Sequence, residues 1–452
     1  MGFQQGLSGL NVSSKNLEVI GNNIANSNTY GAKTARAEFA DMYAAALNGS
    51  GSNNIGIGAM VGAVAQQFTQ GNITTTENPM DLAVNGNGFF QVQDDRNQTY
   101  YTRNGQFKID RDGYIVNNSG HSLLGFQADS TGTITNTSSM VPLQLTTGGI
   151  SPQQTSKVTL EMNLKSTADT LSTAIDFSDA STYSYTTSQT VYDVKGQPVG
   201  LSYYYQKTGD DTWDMYVTAN GTSIQTDGSG NPMKVATITF PATGGTATDL
   251  TNGSPVEGDA GTITTYDSSG TATATSSTGS FTLPDIPSVT VSSTSSSATP
   301  STTEVISGIT MDFSDSTEYG SNFSVTNMSQ DGYAPGDLSS ITVDSSGVVL
   351  ARYSNGQSKP AGQIVMASFR NPQGLQPIGN NEWQATYASN AAVTGTPGTG
   401  NLGLLQSGAL EESNVDLTGE LVNMMVAQRM YQANAQTIKT EDQVMQTLVN
   451  IR

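Results

Sequence analysis

Residues 417–452 read LTGELVNMMVAQRMYQANAQTIKTEDQVMQTLVNIR, and no Gly or Pro interrupts this segment after Gly419. Spacings of four and three alternate along it without a break, through Leu417, Leu421, Met424, Gln428, Tyr431, Ala435, Ile438, Asp442, Met445 and Val449. Because an α-helix repeats every ~3.6 residues, this series lies on one face and predicts a single helix. The helix would be about 45–50 Å long, and its candidate N-caps are Asn414 and Asp416.

The other end of the chain carries a second stripe of the same kind. Its apolar members are Phe3, Leu7, Leu10, Leu17 and Ile24, with Ser14 and Gly21 in the remaining positions. Asn and Gly accept the left-handed conformation that ends many helices, so the Gly- and Asn-rich cluster at residues 21–28 predicts the end of this helix.

Neither terminal helix has another long helix beside it in sequence, so we expect the two to pack on each other as an antiparallel pair. The alternative is that both stripes are ordinary core faces. Lone helices are marginal in water and these stripes contain polar residues, so we expect the ends to become ordered on assembly. The predicted contacts with adjacent copies are Leu7, Leu10, Leu17, Ile24, Leu417, Leu421, Met424, Tyr431, Ile438, Met445 and Val449.

Pairing of the two ends places every other domain between them, so each inner domain combines an early and a late segment. The middle is rich in Ser, Thr, Asn and Gly, which favours strands and turns. We predict a mixed, mainly β fold, in which nested, discontinuous β domains join N- and C-terminal α-helices that pair as a coiled-coil-like terminal domain. The predicted domains are a terminal helical domain (1–31 and 414–452), a connecting region (32–85 and 401–413), an inner β domain (86–146 and 311–400) and an inserted outer β domain (147–310).

Short patterns predict individual elements in the middle of the chain. Residues 34–47 resemble a short helix, and residues 89–93 and 100–103 resemble neighbouring strands. Asp112-Gly113 lies between two apolar segments and is a strong hairpin signal. Ser, Thr and Gly dominate residues 241–303, which we expect to be mostly loop. Further strands are predicted at 158–160, 191–194, 201–205, 213–217, 235–240, 341–343 and 364–369, and we see no repeat of fixed period.

The charge pattern excludes several classes of partner. The formal net charge is −20, and no Lys or Arg lies between Lys234 and Arg352. An acidic surface repels nucleic acid and anionic lipid. The chain has no Cys, which excludes disulfides and Cys-ligated metal. It has no apolar run long enough to span a membrane and no N-terminal signal-peptide pattern, so we expect neither membrane insertion nor a cleaved signal.

No catalytic, metal-binding or cofactor-binding constellation is visible, and we predict a protein that is not an enzyme and needs no cofactor. The glycines of residues 85–88 precede a strand, whereas a dinucleotide fold needs them after one. The segment Asp110-Arg111-Asp112-Gly113 lacks the Gly and Glu of a calcium loop at the required positions and indicates a turn. His121 is the only histidine and has no recognisable nucleophile motif near it.

Four blocks in order along the chain resemble the bacterial flagellar rod and hook family. They are residues 21–33 (GNNIANSNTYGAK), residues 81–90 (DLAVNGNGFF), residues 101–105 (YTRNG) and residues 420–425 (ELVNMM). Ala32 stands where the family usually has Phe. The resemblance assigns Asn22, Asn23, Ala25, Asn26, Thr29, Gly31 and Lys33 to the family motif.

The middle of the chain resembles hook proteins rather than the shorter rod proteins, through residues 191–193 (VYD) and 331–338 (DGYAPGDL). The resemblance implies a structural subunit that self-assembles into a curved tube, a universal joint with a central channel lined by the terminal helices and with residues 147–310 outside. It also implies export through the flagellar type III apparatus and contacts with the distal rod protein, the hook cap protein and the hook–filament junction protein.

Two alternatives remain from the sequence. A distal rod protein would be straight and rigid, but the length and the outer domain argue against it. A secreted β-rich adhesin or glycan-processing enzyme would explain the Ser- and Thr-rich middle, but not the two helical ends.

Overall fold

The computed structural model describes residues 2–42, 56–129, 131–134, 139–145, 148–241, 261–291 and 301–450. The chain divides into two compact units. Unit 1 comprises Met1–Thr147, Ser339–Arg352 and Ser358–Arg452, and unit 2 comprises Gly148–Leu338 and Tyr353–Gln357. Most of the regular structure is β-strand, with one long helix at each end, which confirms the mixed, mainly β fold.

The two terminal helices form as predicted and pack on each other. Helix α1 spans Gly2–Ala25 and helix α2 spans Leu417–Asn450. The pair is antiparallel, because Gly6 of α1 lies beside Ile438 while Asn23 bonds to Glu420 at the opposite end. Helix α1 ends at Ala25, inside the Gly- and Asn-rich cluster at residues 21–28 where the sequence predicted its end.

The first part of unit 1 holds short strands. They are β1 (Ala35–Met42), β2 (Gly58–Gln66), β3 (Ile73–Thr75), β4 (Leu82–Asn85), β5 (Phe89–Gln93), β6 (Thr99–Thr102), β7 (Lys108–Ile109), β8 (Ile115–Val116), β9 (Ser122–Gln127) and β10 (Val141–Pro142). The predicted strands at 89–93 and 100–103 and the hairpin at Asp112-Gly113 are confirmed.

The helix predicted for residues 34–47 is wrong over its described part, which forms β1 and pairs antiparallel with β2. Residues 43–47 of that prediction lie outside the described residues. The sequence from Arg36 to Phe39 alternates polar and apolar side chains, a period of two that suits a strand with one covered face.

Unit 2 contains the next strands and a buried core rich in aromatic side chains. The strands are β11 (Lys157–Lys165), β12 (Tyr185–Tyr192), β13 (Pro198–Gly209), β14 (Thr212–Ala219), β15 (Thr222–Ser223), β16 (Ala236–Thr239), β17 (Thr262–Tyr266), β18 (Ala272–Ser276), β19 (Ser280–Thr282), β20 (Thr290–Val291), β21 (Ser301–Thr302), β22 (Thr310–Asp312), β23 (Thr317–Tyr319) and β24 (Ser324–Gln330). One sheet runs β12-β13-β14-β16-β17-β18, and β11 pairs with β22, β23 and β24 in another.

The expectation that residues 241–303 are mostly loop needs correction, because β17 to β21 form there. Ile263 and Phe281 are buried in the core of unit 2, so a few apolar residues suffice to dock strands of Ser and Thr. Residues 242–260 and 292–300 of that segment lie outside the described residues.

The strands in the last part of unit 1 pair with strands in its first part. It contains β25 (Leu338–Val343), β26 (Val348–Tyr353), β27 (Ser358–Ile364), β28 (Met366–Ser368), β29 (Gln376–Gly379), β30 (Glu382–Gln384), β31 (Val393–Gly395), β32 (Leu404–Ser407) and β33 (Ala409–Glu411). Early and late strands pair throughout, as β3 with β33, β4 with β32, β5 with β28, β6 with β30 and β9 with β27. The β structure of unit 1 is therefore discontinuous in sequence.

One five-residue turn recurs in both units. Its first side chain accepts hydrogen bonds from the backbone N–H groups two and four residues later. The first residues are Asp94, Asp110, Asn117, Asp129, Asp193, Asp227, Asp267 and Asp344. All follow a pattern of Asp or Asn, two variable residues, Gly or Asn, and one more residue. The turns have no fixed period, and sequence analysis did not find this pattern.

Candidate assembly site

The contact between α1 and α2 is close because small residues of α1 face α2. A Cβ on Gly6 would lie 2.9 Å from Cγ1 of Ile438, and a Cβ on Gly9 would lie 2.8 Å from Nδ2 of Asn434. Ala427 of α2 is only 3% exposed. The small residues therefore allow the helix backbones to approach each other.

Polar groups also cross this contact. Nδ2 of Asn434 lies 3.4 Å from Oγ of Ser13, and Nδ2 of Asn23 donates to Oε1 of Glu420 at 3.3 Å. Sequence analysis placed Asn23 in the family motif but missed Ser13 and Asn434, because it followed large apolar side chains. The series Gly6, Gly9 and Ser13, with spacings of three and four, was the available signal.

The structure divides the predicted contact residues into two groups. Met424 and Ile438 of α2 are partly buried, as are Leu10, Leu17 and Ile24 of α1. The remaining described members are exposed, namely Leu7, Leu417, Leu421, Tyr431 and Met445. The side chain of Val449 lies outside the described part. The predicted stripe is therefore not one continuous seam between the two helices.

Helix α2 presents a broad apolar face to solvent. Leu421 is 41% exposed and Met430 is 60% exposed. Exposed with them are Leu417, Val422, Met425, Val426, Tyr431, Val444 and Met445, and on α1 Phe3 and Leu7. Large apolar side chains exposed in this number mark a site of interaction with another protein. We call this set the α2 apolar face.

Asn23 of the family motif fixes the end of α1. Its Oδ1 accepts from the backbone N of Ala35 at 2.9 Å, and its Nδ2 donates to the backbone O of Ala35 at 2.8 Å. The same Nδ2 bonds to Glu420. One buried amide therefore connects α1, the start of β1 and the first turn of α2.

The rest of the motif builds the tight turn after α1. Nδ2 of Asn26 donates to the backbone O of Asn22 at 2.9 Å, and the backbone N of Thr29 donates to the O of Asn26 at 3.1 Å. Gly31 has φ of +71°, and a Cβ there would lie 2.5 Å from the backbone N of Asn104. Only glycine fits this position. Ala25 is exposed, and no contact with a described residue explains its identity.

The last motif residue, Lys33, belongs to a buried ion cluster in unit 1. Its Nζ lies 2.6 Å from Oε1 of Glu411, and Nη1 of Arg103 lies 3.1 Å from Oε2 of the same carboxylate. Backbone groups complete the cluster, since the N–H of Gly71 donates to Oε1 at 2.9 Å. Two cations thus share one buried carboxylate.

The cations of this cluster are also bonded to carbonyls. Lys33 donates to the O of Thr69 at 2.9 Å, and Arg103 donates to the O of Gly86 at 2.9 Å. Burial lowers the pKa of Lys33 and of Arg103, and the carboxylate of Glu411 opposes that shift. Sequence analysis placed Lys33 in the motif but did not identify Glu411, because nothing local connects them.

Asn414 and Asp416, the two candidate caps of α2, have different roles. The N–H of Thr418 donates to Oδ1 of Asp416 at 3.0 Å, so Asp416 caps the helix. Asn414 instead accepts from the N–H of Thr34 at 2.8 Å and donates to the O of Gln67 at 2.8 Å. Asn414 therefore bonds the early connecting segments to the late one.

The other sequence candidates have structural roles. Asp110 accepts from the backbone N of Asp112 and of Tyr114, as a turn requires. His121 lies 3.1 Å from the carboxylate of Glu382 and stacks on Tyr100. Among the described residues, no group of three or more His, Cys, Asp or Glu is placed to hold a metal ion. No helix in the described part is both long and apolar enough to cross a membrane.

Four family models match successive parts of the chain. They are described as Flagella basal body rod protein (residues 3–33), Flagellar hook protein FlgE/F/G D1 domain (residues 83–168), Flagellar basal body protein FlaE D2 domain (residues 163–333) and Flagellar basal body rod FlgEFG protein C-terminal (residues 406–451).

Two full-length relatives carry the same name. The flagellar hook protein FlgE of Salmonella typhimurium is 39% identical over 455 residues, which cover 100% of both chains. That of Escherichia coli K12 is 39% identical over 459 residues, again covering 100% of both. A crystal structure of Helicobacter pylori flagellar hook protein FlgE2 has a TM-score of 0.48 and 15% identity, covering 75% of this chain and 100% of that one. With relatives of this identity over its whole length, the chain belongs to the flagellar hook protein family and is a structural subunit of the hook.

Proposed function

We propose that this hook subunit polymerises with copies of itself into a curved tube, which acts as a universal joint between the flagellar motor and the filament and leaves a central channel. The observation that carries the proposal is the α2 apolar face. A chain with a net charge of −20 gains solubility from polar surface, yet Leu421, Met425 and Met430 are exposed together. A neighbouring copy would cover them.

We further propose that the predicted domains have different roles in the polymer. The terminal helices, 1–31 and 414–452, would make the fixed contacts around the channel. The outer β domain, 147–310, would make contacts that shift as the tube bends, because it is acidic and rich in hydroxyl groups. Wet surfaces of like charge bind weakly and change geometry at little cost.

The proposed partners follow from membership of the hook family. They are further copies of the chain, the distal rod protein, the hook cap protein, the hook–filament junction protein and the flagellar type III export apparatus. We propose that the chain leaves the cell through that apparatus without cleavage of a signal, and that it serves as a structural element with no catalytic activity.

Negative-stain electron microscopy of the purified, concentrated protein tests the proposal. We expect curved tubes. Straight tubes would instead favour a distal rod protein, and a protein that forms no polymer at any concentration would contradict self-assembly.

A further inference from the structure

A groove of about 790 Å³ lies in unit 1, over the sheet edge formed by β5, β28 and β31. Aromatic and aliphatic side chains form much of its wall, including Phe68, Phe89, Phe369 and Leu402. Phe68 packs edge-on against Phe89, with 5.5 Å between their ring centroids. The wall is therefore firmly packed and suited to the apolar stem of a bound side chain.

Among the described residues, the charged side chains that line this groove are those of Arg103 and Arg370, and no Asp or Glu lines it. This is unusual in a chain with 38 acidic and 18 basic residues. Arg370 is exposed, and the structure gives it no ion pair or hydrogen bond among the described residues. It is an unmatched cation at the groove.

Arg103 adds to the positive charge of the groove lining. Its guanidinium lies over the ring of Phe89, 5.3 Å from the ring centroid, and its buried Nε has no hydrogen-bond partner in the described part. Arg103 shares the carboxylate of Glu411 with Lys33, so the ion cluster to which it belongs has an excess of one positive charge. Low dielectric around buried groups strengthens attraction to an anion.

One strand beside the groove has a free edge. β31 pairs with β28 on one side and with no other described strand, and its first residue, Val393, is 64% exposed. An extended segment could lie along such an edge while its side chains enter the groove. The site thus combines an open strand edge, an aromatic wall and two arginines.

We propose that this groove receives a carboxylate-bearing extended segment of a second copy of the chain, with the carboxylate on Arg370. This inference rests on the proposed self-assembly. Charge complementarity selects the occupant, since the surface of every copy is strongly acidic, and a guanidinium binds a carboxylate through two parallel hydrogen bonds.

The absence of Cys from the chain allows a direct test. Val393→Cys places a single thiol at the groove, and Tyr387→Cys places a control thiol at a fully exposed position of unit 1. Maleimide labelling is measured on monomer and on polymer. We expect labelling at 393 to slow at least tenfold (about 1.4 kcal/mol) on polymerisation, and labelling at 387 to slow less. Equal labelling at 393 in monomer and polymer would overturn the proposal.

A charge reversal tests the role of Arg370 separately. Arg370→Glu should raise the concentration needed for polymerisation about tenfold or more, because a carboxylate would face a carboxylate. Lys108→Glu makes the same change on β7, outside the groove. Equal effects of the two variants would overturn the proposal. If the unmodified chain formed no polymer, the proposed function itself would be wrong. That result can be distinguished from a negative labelling result at position 393 and from equal effects of the two charge reversals.

Discussion

The ammonium group of Lys33 lies 2.6 Å from the carboxylate of Glu411, although 378 residues separate them in sequence, and both side chains are 0% exposed. Buried pairs are costly to desolvate, and removing one partner leaves the other charge uncompensated. Glu411 compensates two cations at once, since it also bonds to Arg103. The late β33 segment is therefore bound to the family motif at the start of the chain.

Glu411→Gln is expected to destabilise unit 1 by about 3–5 kcal/mol, because two buried cations lose the carboxylate that they share. Thermal and urea unfolding, followed by circular dichroism, measure the change. Glu412→Gln is the matched control and should cost less than about 1 kcal/mol, since that side chain makes a single exposed hydrogen bond to Asn72. Similar losses for both variants would show that the buried cluster does not stabilise the fold.

Leu421→Asp is expected to leave the folded monomer unchanged and to block polymerisation. Leu421 is exposed in the monomer, and burying such a side chain in an assembly is worth roughly 1.5–3 kcal/mol. Sedimentation of polymer at increasing concentration measures the effect. Gln432→Asp introduces the same charge at another exposed position of α2 and should be tolerated. Normal tubes from Leu421→Asp would show that the α2 apolar face is not an assembly contact.

A fragment of residues 68–415, which lacks both terminal helices, is expected to be a β-rich monomer. It keeps the pairing of β3 with β33 and of β4 with β32, and it keeps Glu411. A shorter fragment that began at Asn85 would lack Leu82, Ala83 and Val84. These residues are fully buried, so the shorter fragment is not a suitable choice. Circular dichroism and analytical ultracentrifugation test the expectation. Tubes formed by this fragment would show that the ends are not needed for assembly.

The recurrent turns predict a dependence on pH. The side chain of Asn231 holds the pKa of Asp227 below its ordinary value, and the hydroxyl of Ser269 does the same for Asp267. A carboxyl with a lowered folded pKa contributes stability above its unfolded pKa of about 3.9, and this is lost as the pH falls through the folded value.

We therefore expect the double variant Asp227→Asn and Asp267→Asn to lose less unfolding free energy than the parent as the pH falls below about 4, because Asn keeps the acceptor oxygen without titrating. Urea unfolding at a series of pH values measures this. Asp285→Asn changes an exposed carboxyl that has no such turn and should behave as the parent does. An unchanged acid dependence in the double variant would contradict the role of these turns.

Tyr205→Phe is expected to leave unit 2 as stable as before or to stabilise it by about 1 kcal/mol. The hydroxyl of Tyr205 is buried without a hydrogen-bond partner in the described part, and removing an unsatisfied polar group removes its desolvation cost. Trp213→Phe is the contrasting change, since Nε1 of Trp213 donates to Glu318 at 3.0 Å, and it should destabilise. A clear loss of stability in Tyr205→Phe would reveal a bonded water at the hydroxyl.

The sequence predicted the two helices and a minority of the strands, because each depends on a local period of apolar residues. It predicted the pairing of the helices because neither has another long helix beside it in sequence. The predictions from sequence failed where a contact depends on a residue that is distant in sequence or has a small side chain. The contact between α1 and α2 depends on Gly6 and Gly9, which carry no hydrophobic signal. The residues near Phe39 contain good helix formers, but pairing with β2 decides for a strand. Glu411 could not be identified at all, since only the folded chain brings it to Lys33.

The five-residue turns that begin at residues such as Asp267 and Asp344 should form early when the chain folds. Every acceptor there lies within four residues of its donors, so each tip can close on the ~10–100 ns timescale of a short loop. The contact between Glu411 and Lys33 instead closes a loop of 378 residues, and contacts between residues so distant in sequence form slowly during folding. Hairpin tips should consequently form early in each refolding molecule, and protection of the amide protons near Lys33 from exchange should be among the last signals to develop.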